Sequence, residues 1–483
     1  MNAYQSLPYE KYIERNSSEY IYAMQSLVAQ YSNKVVITAL NAVSSGVVAV
    51  LILCMLAWTN IVIFMVIISL VGTLVVGYDA VFRVKIKQYG GSANTAATKV
   101  VQDLAEGVKG LKEIRISQNE DFFYKRVKLS VERYGKYYAL TSIIGAIPKY
   151  LIEFVMVIFI ISTVVITSYF STGSEQNLLS TLSLFGVASI RLIPTINVIS
   201  TAMVQWRFNR DGVSRLYKDI CFLESEDSKV GGVKLASKNS PSISPSPSPS
   251  PDRPFHSIKL SDIVYRYPGS KHYAINEINI EVRCGESIGL VGESGSGKST
   301  LLDVFLGLLV PVKGTIDYNE KPLDDHLMNE WRSHVAYLPQ EVFLTDDSLK
   351  RNVALGLEDK DICEKRILEV LKQVKLDSLL EQLPDGIEAS IGEGGVKLSG
   401  GQKQRISLAR AFYHKKDVLV MDESTSSLDD KTEKQIVKEI QLLKGSRTMI
   451  IIAHRFSTVQ HCDRIYRLEK GKIISMGTPA EML

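Results

Sequence analysis

The stretch GLVGESGSGKSTLLDVFLGLL, residues 289–309, contains a short apolar run, a glycine-rich segment and then a run of good helix formers. A strand, a tight turn and a helix in this order form the context in which a phosphate-binding P-loop occurs. Glycines allow the backbone N–H groups of the turn to close around phosphate oxygens, and the positive end of the helix dipole points at the same place. The stretch therefore predicts a nucleotide site in an α/β domain, with a glycine loop that binds no nucleotide as the alternative.

The side chains of this loop have separate roles in holding a nucleoside triphosphate. Lys298 is expected to reach the terminal phosphates, and the Ser299 hydroxyl is expected to ligate Mg²⁺. The predicted phosphate-binding residues are Gly292, Ser294, Gly295, Gly297, Lys298, Ser299 and Thr300.

A second motif, which is acidic, lies about 120 residues downstream, where the apolar run DVLVMDE ends in Asp422 and Glu423. Asp422 is placed to hold Mg²⁺, directly or through water, and Glu423 is placed to polarise an attacking water. Two acids after a buried strand can also do no more than cap that strand. Their pairing with the P-loop favours the metal and base roles.

Almost all of the long apolar runs fall before residue 207. Residues 35–78 are 44 positions without a formal charge, about twice the ~20 needed to cross a hydrocarbon core as a helix. Four spans are predicted, at about 35–57, 61–78, 151–170 and 177–204, with short turns at WTN and STGSEQ. Buried helices of a soluble protein are the alternative, which the recurrence of paired spans disfavours.

The basic residues give the orientation of these spans. The connection 79–149 holds 13 Lys or Arg, whereas WTN and STGSEQ hold none. The positive-inside rule places the long connection and both chain ends in the cytosol. Its helix formers predict extended helices with a turn near RISQNED, residues 115–121. The first 34 residues lack the features of a signal peptide, so internal spans are expected to direct insertion.

The Ser-Pro run at 244–251 is expected to be an extended spacer that marks a domain boundary. We therefore divide the chain into a transmembrane domain at 1–222, a linker at 223–255 and a nucleotide-binding domain at 256–483. In the last part, apolar runs alternate with helical patterns, which predicts a mostly parallel sheet covered by helices. The five cysteines lie far apart and indicate neither a zinc site nor a disulfide framework.

Between the glycine-rich loop and the acidic motif lies VKLSGGQKQRISLARA, residues 396–411. This segment resembles the signature of the ATP-binding-cassette (ABC) family. The matching residues are Leu398, Ser399, Gly400, Gly401 and Gln402. In that family the signature closes over ATP held by a second cassette, so the resemblance implies ATP and Mg²⁺ as cofactors. Because this chain has one cassette, it also implies a homodimer or a paired half-transporter.

The resemblance assigns further positions motif by motif. In VYRYPG, Tyr267 would stack on adenine, with Tyr265 as the alternative and an ordinary strand aromatic as a third reading. Gln340 of AYLPQEVFL matches the Q-loop near Mg²⁺. Asp429 of STSSLDD matches the D-loop at the dimer contact, and His454 of IIIAHR matches the switch histidine that senses the γ-phosphate.

The membrane half resembles an exporter-type half-transporter, of which four of the usual six spans are visible. The fold class implied is an α-helical transmembrane domain plus an α/β P-loop cassette domain. Segment 7–24 resembles the coupling segment that follows the second span of such exporters, and IGEGG at 391–395 resembles the segment that contacts the opposite membrane subunit.

PYEKYIERNSSE, GLKEIRISQNEDFFYKRV and ASIRLIPTINVI resemble bacterial flippases of lipid-linked oligosaccharides. Arg191 is a charge inside an apolar span, which by default indicates a cavity or a partner. It could meet an anionic pyrophosphate headgroup, or pair with a neighbouring helix or carbonyl. Pro194 could break that helix or only kink it.

These features predict ATP-driven export or flipping of a lipid-linked oligosaccharide or related lipid, by an integral protein of the bacterial inner membrane with its cassette in the cytoplasm. The alternatives are an exporter of lipid, drug or peptide, and a truncated membrane protein that binds ATP without transport. Four spans and a single cassette disfavour soluble ATPases that act on nucleic acid, so membrane lipids and the glycan lipid are the expected partners.

Overall fold

The computed structural model describes residues 2–59, 61–170, 175–229, 254–422, 438, 441–453 and 456–482. The chain forms two compact units. The first consists of Met1–Leu7 and Lys11–Lys229, and the second of Pro8–Glu10 and Val230–Leu483.

The described part of the chain up to Lys229 consists of helices joined by short turns. Short helices α1 (Asn2–Gln5), α2 (Tyr9–Ile13), α3 (Ser17–Tyr22) and α4 (Val28–Gln30) come first, with π-helical turns at Ala23–Leu27 and Tyr31–Val36. The longer helices are α5 (Ile37–Thr59), α6 (Ile61–Lys109), α8 (Glu120–Phe170) and α9 (Glu175–Lys229), and α7 (Leu111–Ile116) is a short connection. The turn predicted near 115–121 lies between α7 and α8.

Four of the described helical segments are long and apolar enough to cross a membrane, judged by length and composition. They are Ser17–Trp58, Phe64–Lys109, Glu120–Ser162 and Gly186–Ser225. The structure thus agrees with the four apolar spans expected from the sequence. Residues 60 and 171–174, which include parts of both predicted turns, lie outside the described residues.

Apolar side chains hold the long helices together at two places. Ala49 and Leu56 of α5 pack with Ala188 and Leu192 of α9. A second cluster joins α6, α8 and α9 through Tyr78, Ile86, Ile144 and Val204. Side chains of this kind give helix contacts their energy through close packing when lipid surrounds the bundle.

Both internal prolines of the long helices are accommodated without ending them. Pro194 lies inside α9 and Pro148 inside α8, and each helix continues for many residues beyond its proline. Of the two outcomes open for Pro194, the break is therefore wrong. Neighbouring helices and local adjustment of the backbone can compensate for the missing hydrogen bond in such a setting.

The second unit contains two sheets. The six-stranded sheet has the order β10-β9-β3-β8-β7-β6, and all neighbouring pairs are parallel except β10 with β9. Its strands are β3 (Ser287–Val291), β6 (Val335–Leu338), β7 (Val418–Asp422), β8 (Thr448–Ile452), β9 (Arg464–Glu469) and β10 (Lys472–Gly477). This is the mostly parallel sheet that the apolar runs predict.

A four-stranded antiparallel sheet accompanies it, with the order β2-β1-β4-β5. Its strands are β1 (Ser257–Tyr265), β2 (Ile275–Arg283), β4 (Lys313–Tyr318) and β5 (Lys321–Pro322). This sheet is not predicted by the apolar runs of the sequence. Strands such as β2 alternate apolar and polar residues, INEINIEVR, whereas the predicted strands were continuous apolar runs.

Helices of the second unit cover the parallel sheet. They are α10 (Lys298–Phe305), α11 (Asp325–His334), α12 (Leu349–Val353), α13 (Glu364–Gln373), α14 (Asp377–Gln382), α15 (Gly400–Tyr413), α16 (Phe456–Val459) and α17 (Pro479–Met482). One buried cluster joins α10 to both sheets, and another joins α12, α13, α14 and α15 to the parallel sheet. The P-loop and the signature therefore begin helices that are fixed by separate parts of the core.

Candidate functional site

The glycine-rich turn lies between β3 and α10, as the sequence predicts. Gly292, Gly295 and Gly297 have φ angles of 154°, 79° and 103°, which side chains other than glycine adopt at a cost. A Cβ on Gly292 would lie 2.3 Å from the carbonyl oxygen of Leu468, and one on Gly297 would lie 2.6 Å from that of Ala274. Backbone and neighbours together require glycine at these two positions.

Polar groups converge inside the turn. Lys298 is 5% exposed, and its Nζ donates to the carbonyl oxygens of Gly292 at 2.8 Å and Glu293 at 2.9 Å. The Ser296 hydroxyl is buried and has no hydrogen-bond partner within the described residues. A buried ammonium and a spare hydroxyl in a cradle of backbone N–H groups fit a phosphate chain.

The hydroxyls expected beside the phosphates lie at the start of α10. Ser299 is exposed, whereas Thr300 is buried. Gly295 and Ser294 are exposed at the rim of the turn. The Ser299 hydroxyl is therefore open to a ligand, in keeping with the metal role predicted for it.

Strand register brings Asp422 to the same edge of the sheet. Asp422 pairs with Ile452 of β8, and Ile452 pairs with Leu290 of β3, two residues before Gly292. Two strand spacings of about 4.8 Å thus separate the end of β7 from the start of the P-loop. The Tyr337 hydroxyl donates to Oδ2 of Asp422 at 3.3 Å. A carboxylate and the Ser299 hydroxyl are oxygen donors of the kind that Mg²⁺ prefers.

Asp303 of α10 is an additional acid near this edge that is not among the residues predicted from the sequence. Burial, with a further contribution from the charge of Asp422, raises the pKa of Asp303 to about 6. The available signal was an acid within the apolar segment TLLDVFL. The carboxyl of Asp303 adds negative character beside the predicted metal ligand.

Three predicted site residues, Glu423, Asp429 and His454, lie outside the described residues. Strands β7 and β8 end at Asp422 and Ile452. The chain positions of Glu423 and His454 thus follow the ends of two neighbouring parallel strands, and their roles stay predictions.

The two candidate adenine-binding tyrosines differ in burial. Tyr265 is 1% exposed, within the core. Tyr267 is half-buried, and its hydroxyl lies 3.1 Å from Oγ1 of Thr300 in the P-loop helix. The rings of the two tyrosines meet edge to face at 5.1 Å. This placement favours Tyr267 as the one that faces a ligand.

The signature forms the N-terminus of α15. The Ser399 side chain accepts a hydrogen bond from the Gln402 backbone N–H, and the Gln402 side chain accepts one from the Ser399 backbone N–H. This capping box fixes the first turn of the helix. Leu398 and Gly401 are buried, whereas Ser399 and Gly400 are exposed. The signature therefore presents a serine and a helix N-terminus to its surroundings, as an anion-binding surface requires.

Two further predicted segments are loops. Gln340 lies just beyond β6, and its carbonyl oxygen accepts a hydrogen bond from Gln404 of α15. In the segment IGEGG, the residues Gly392, Glu393 and Gly394 are half-buried or exposed, and Gly394 accepts a hydrogen bond from Lys403.

Arg191 lies on α9 and is exposed, while its neighbour Leu192 is buried. Among the described residues its guanidinium forms no ion pair or hydrogen bond. The alternative role, in which Arg191 pairs with a neighbouring helix or carbonyl, is therefore not seen in the part of the chain that the structure describes.

Known proteins resemble this chain in its cassette and in its whole fold. Residues 275–426 match the sequence model of the family described as "ABC transporter". An ATP-dependent lipid A-core flippase of Ralstonia nicotianae is 37% identical over 233 residues, which are 48% of this chain and 39% of that protein. The flippase of the same description from Cupriavidus pinatubonensis is 27% identical over 427 residues, or 88% of this chain and 68% of that protein.

A solved structure has the same fold over the full length of the chain. A bacterial Atm1-family ABC exporter with ATP bound superposes with a TM-score of 0.76 at 18% identity, covering 100% of this chain and 82% of that one. Residues 275–426 thus match the ABC transporter family, within a chain that joins a unit of long apolar helices to an α/β unit. The predicted fold class is confirmed, as is the multi-pass membrane character. The chain spans about two-fifths of the length of the flippase from Ralstonia nicotianae.

Proposed function

We propose that this chain hydrolyses ATP to move a lipid-linked glycan or a related lipid across a membrane. The observation that carries the proposal is the cradle formed by Gly292, Gly297 and Lys298, beside Asp422 at the end of β7. The proposal covers a transmembrane domain at 1–222, a linker at 223–255 and a cassette at 256–483.

The residues of the cassette take the following roles in this proposal. The P-loop residues bind the phosphates of ATP, and Tyr267 stacks on adenine. Ser299, Gln340 and Asp422 hold Mg²⁺, which neutralises phosphate charge when bound. Glu423 polarises the attacking water, and His454 senses the γ-phosphate.

The partner is a second cassette, most simply a second copy of this chain. The exposed Ser399 and Gly400 at the start of α15 complete the ATP site of the partner, and Asp429 lies at the contact between the two cassettes. Two equivalent sites then follow from two-fold symmetry. A paired half-transporter of different sequence would serve the same geometry.

The substrate class is supported by the relatives and by Arg191. The relatives named above are described as ATP-dependent lipid A-core flippases. An exposed arginine in an apolar helix is costly unless it meets an anion or water, and a phosphorylated headgroup supplies the anion. The setting proposed is the bacterial inner membrane, with the cassette in the cytoplasm. An exporter of another lipid is the second candidate, since the fold match concerns an exporter.

The first test is the ATPase rate of the purified chain in proteoliposomes, with Glu423→Gln as the zero. We expect hydrolysis above that zero and a stimulation of at least threefold by a polyprenyl-pyrophosphate oligosaccharide or by lipid A-core. A rate that neither lipid changes would transfer the proposal to another lipid. No rate above Glu423→Gln would contradict ATP hydrolysis itself.

The role of Arg191 is tested in the same assay. Arg191→Glu should abolish the lipid stimulation, because it replaces the cation by a repelling charge, while Arg191→Lys should retain most of it. Basal hydrolysis should stay unchanged in both variants. Full stimulation of Arg191→Glu would exclude a headgroup contact at this position.

A further inference from the structure

Helix α15 begins at the signature and is hydrogen-bonded to the loop that follows β6. Nε2 of Gln404 lies 3.3 Å from the carbonyl oxygen of Pro339 and 3.2 Å from that of Gln340. Farther along the helix, Nη2 of Arg410 lies 3.1 Å from the carbonyl oxygen of Phe343. One helix thus holds the loop backbone at three points, two of which are the carbonyl groups of Gln340 and of the residue before it.

The other end of the loop is fixed by the same network. Nε of Arg410 donates to the carbonyl oxygen of Asn352 at 3.0 Å. The Asn352 side chain, which is fully buried, accepts from the backbone N–H of Thr345 at 2.9 Å. Residues 339–345 contain no helix or strand hydrogen bonding of their own. Side chains therefore determine the path of this loop, because its backbone groups need partners that regular structure does not supply.

The orientation of the Gln404 amide follows from its partners. Gln404 is 6% exposed, and turning the amide over would place Oε1 against two carbonyl oxygens. In the actual orientation, Oε1 is buried and has no hydrogen-bond partner within the described residues. Buried acceptors normally have a partner. Gln404 therefore donates two hydrogen bonds to the loop while its own Oε1 stays buried without a partner. An apolar side chain of the same size would avoid the cost of that buried oxygen but would lose both bonds.

We infer that Gln404 and Arg410 are positioning residues that couple the signature to the Q-loop. The inference rests on the proposed function, in which the signature contacts ATP of the partner cassette and Gln340 contacts Mg²⁺ in its own cassette. When α15 moves toward the ATP of the partner, the bonds from Gln404 carry the backbone of Gln340 with it. Each site thereby responds to closure at the other.

The test is a double-mutant cycle on the full chain in proteoliposomes. Gln404→Met keeps the length of the side chain but removes both donated bonds. We expect it to lower kcat for ATP hydrolysis about tenfold and to change KM for ATP by no more than about twofold, because the cradle itself is untouched. Gln340→Ala should lower kcat by a similar factor. The kcat of the double variant should be no more than about twofold below that of the slower single variant, because both substitutions break the same connection.

Ser407→Ala is the matched control, because Ser407 is buried on the same helix one turn farther on. Its effect should multiply with that of Gln340→Ala, as independent changes do. Arg410→Lys, which keeps the charge but cannot bridge Phe343 and Asn352, provides a second cycle if Gln404→Met folds poorly in thermal unfolding. Multiplied effects in both cycles, or wild-type kcat in Gln404→Met, would overturn the inference.

Failure of the proposed function would give a different result in these measurements. It would appear in the unmodified chain, whose hydrolysis would not exceed that of Glu423→Gln. The inference about Gln404 fails only in a chain that hydrolyses ATP and shows independent effects.

Discussion

Gly292 is the residue of the cradle whose surroundings leave least room for a side chain. Gly292→Ala would combine a φ of 154° with a Cβ 2.3 Å from the carbonyl oxygen of Leu468. We expect ATP affinity to fall at least 100-fold and the free energy of unfolding to fall by about 1–3 kcal/mol, since the loop must move. Calorimetric titration with ATP and a thermal unfolding curve measure the two effects.

Gly135→Ala is the control, because Gly135 lies inside α8 with nothing within 4 Å of its added Cβ. An alanine there should leave ATP affinity unchanged and stabilise the helix by up to about 1 kcal/mol. Tight ATP binding by Gly292→Ala would show that the loop tolerates the side chain, contrary to the close approach described here.

Asp303 gives the cassette a dependence on pH. Its pKa of about 6 in the folded chain lies above the ordinary value of 3.8, so the folded state binds the proton more tightly than the unfolded state. Stability should therefore fall as pH rises from about 4 to about 6. Asp303→Asn should be more stable than the parent by about 1 kcal/mol at pH 7, after allowing for partial exposure, and equal to it below pH about 4.

Thermal unfolding across pH 4 to 8, in the absence of nucleotide and Mg²⁺, checks this expectation. Asp385→Asn is the control, because Asp385 is exposed. A constant difference between Asp303→Asn and the parent at every pH would mean that the ionisation of Asp303 is not the cause.

Between elements, Asp103 is a polar group that joins α6 to α8. Its carboxylate is 1% exposed and lies 2.9 Å from Nε of Arg126 and 3.1 Å from Nζ of Lys99. The Ser130 hydroxyl donates to it at 2.6 Å. Burial alone would raise the pKa of Asp103, but the bond from Ser130 and the two cations outweigh it, and the pKa is lower than usual.

Asp103→Asn should destabilise this helix pair by about 1–3 kcal/mol at neutral pH. A carboxyl with a lowered pKa contributes stability above its unfolded value and loses that contribution as pH falls through the folded value. The deficit of the variant should therefore shrink below pH about 4. Glu132→Gln, which removes an exposed pair with Lys128 on α8, should cost less than about 0.5 kcal/mol in the same unfolding measurement.

The elements also show where sequence reasoning succeeds. Uncharged runs such as 35–78 predict helices because only helices satisfy the backbone in lipid, and the apolar runs around Gly289 and Val420 predict parallel strands because both faces are buried. The antiparallel sheet was not predicted, because alternation of apolar and polar residues is a weaker sign of a strand than a continuous apolar run. The role of Gln404 was not predicted for another reason. A polar residue in the helix after the signature looks like a surface residue, and only tertiary contacts reveal its buried hydrogen bonds to the loop.

For the whole molecule, the proposed pairing of two chains makes a prediction that cross-linking can check. The test uses a chain that carries Ser294→Cys and Ser399→Cys together with Glu423→Gln. In the proposed dimer, the P-loop of one chain and the signature of the other contact the same ATP, so Cys at position 294 of one chain would lie near Cys at position 399 of its partner. We expect a disulfide-linked dimer that depends on ATP and is absent from each single cysteine variant. A link that forms equally without ATP, or none at all, would contradict the shared site.

The three longest helices contain 49, 51 and 55 residues, and neither Pro148 nor Pro194 interrupts them. At 1.5 Å per residue, α8 is about 77 Å long. A rod of that length is a lever: a tilt of about 5° at one end displaces the other by about 7 Å, more than one helical turn. A small change in the tilt of such a helix would therefore produce a displacement of several ångströms at its far end.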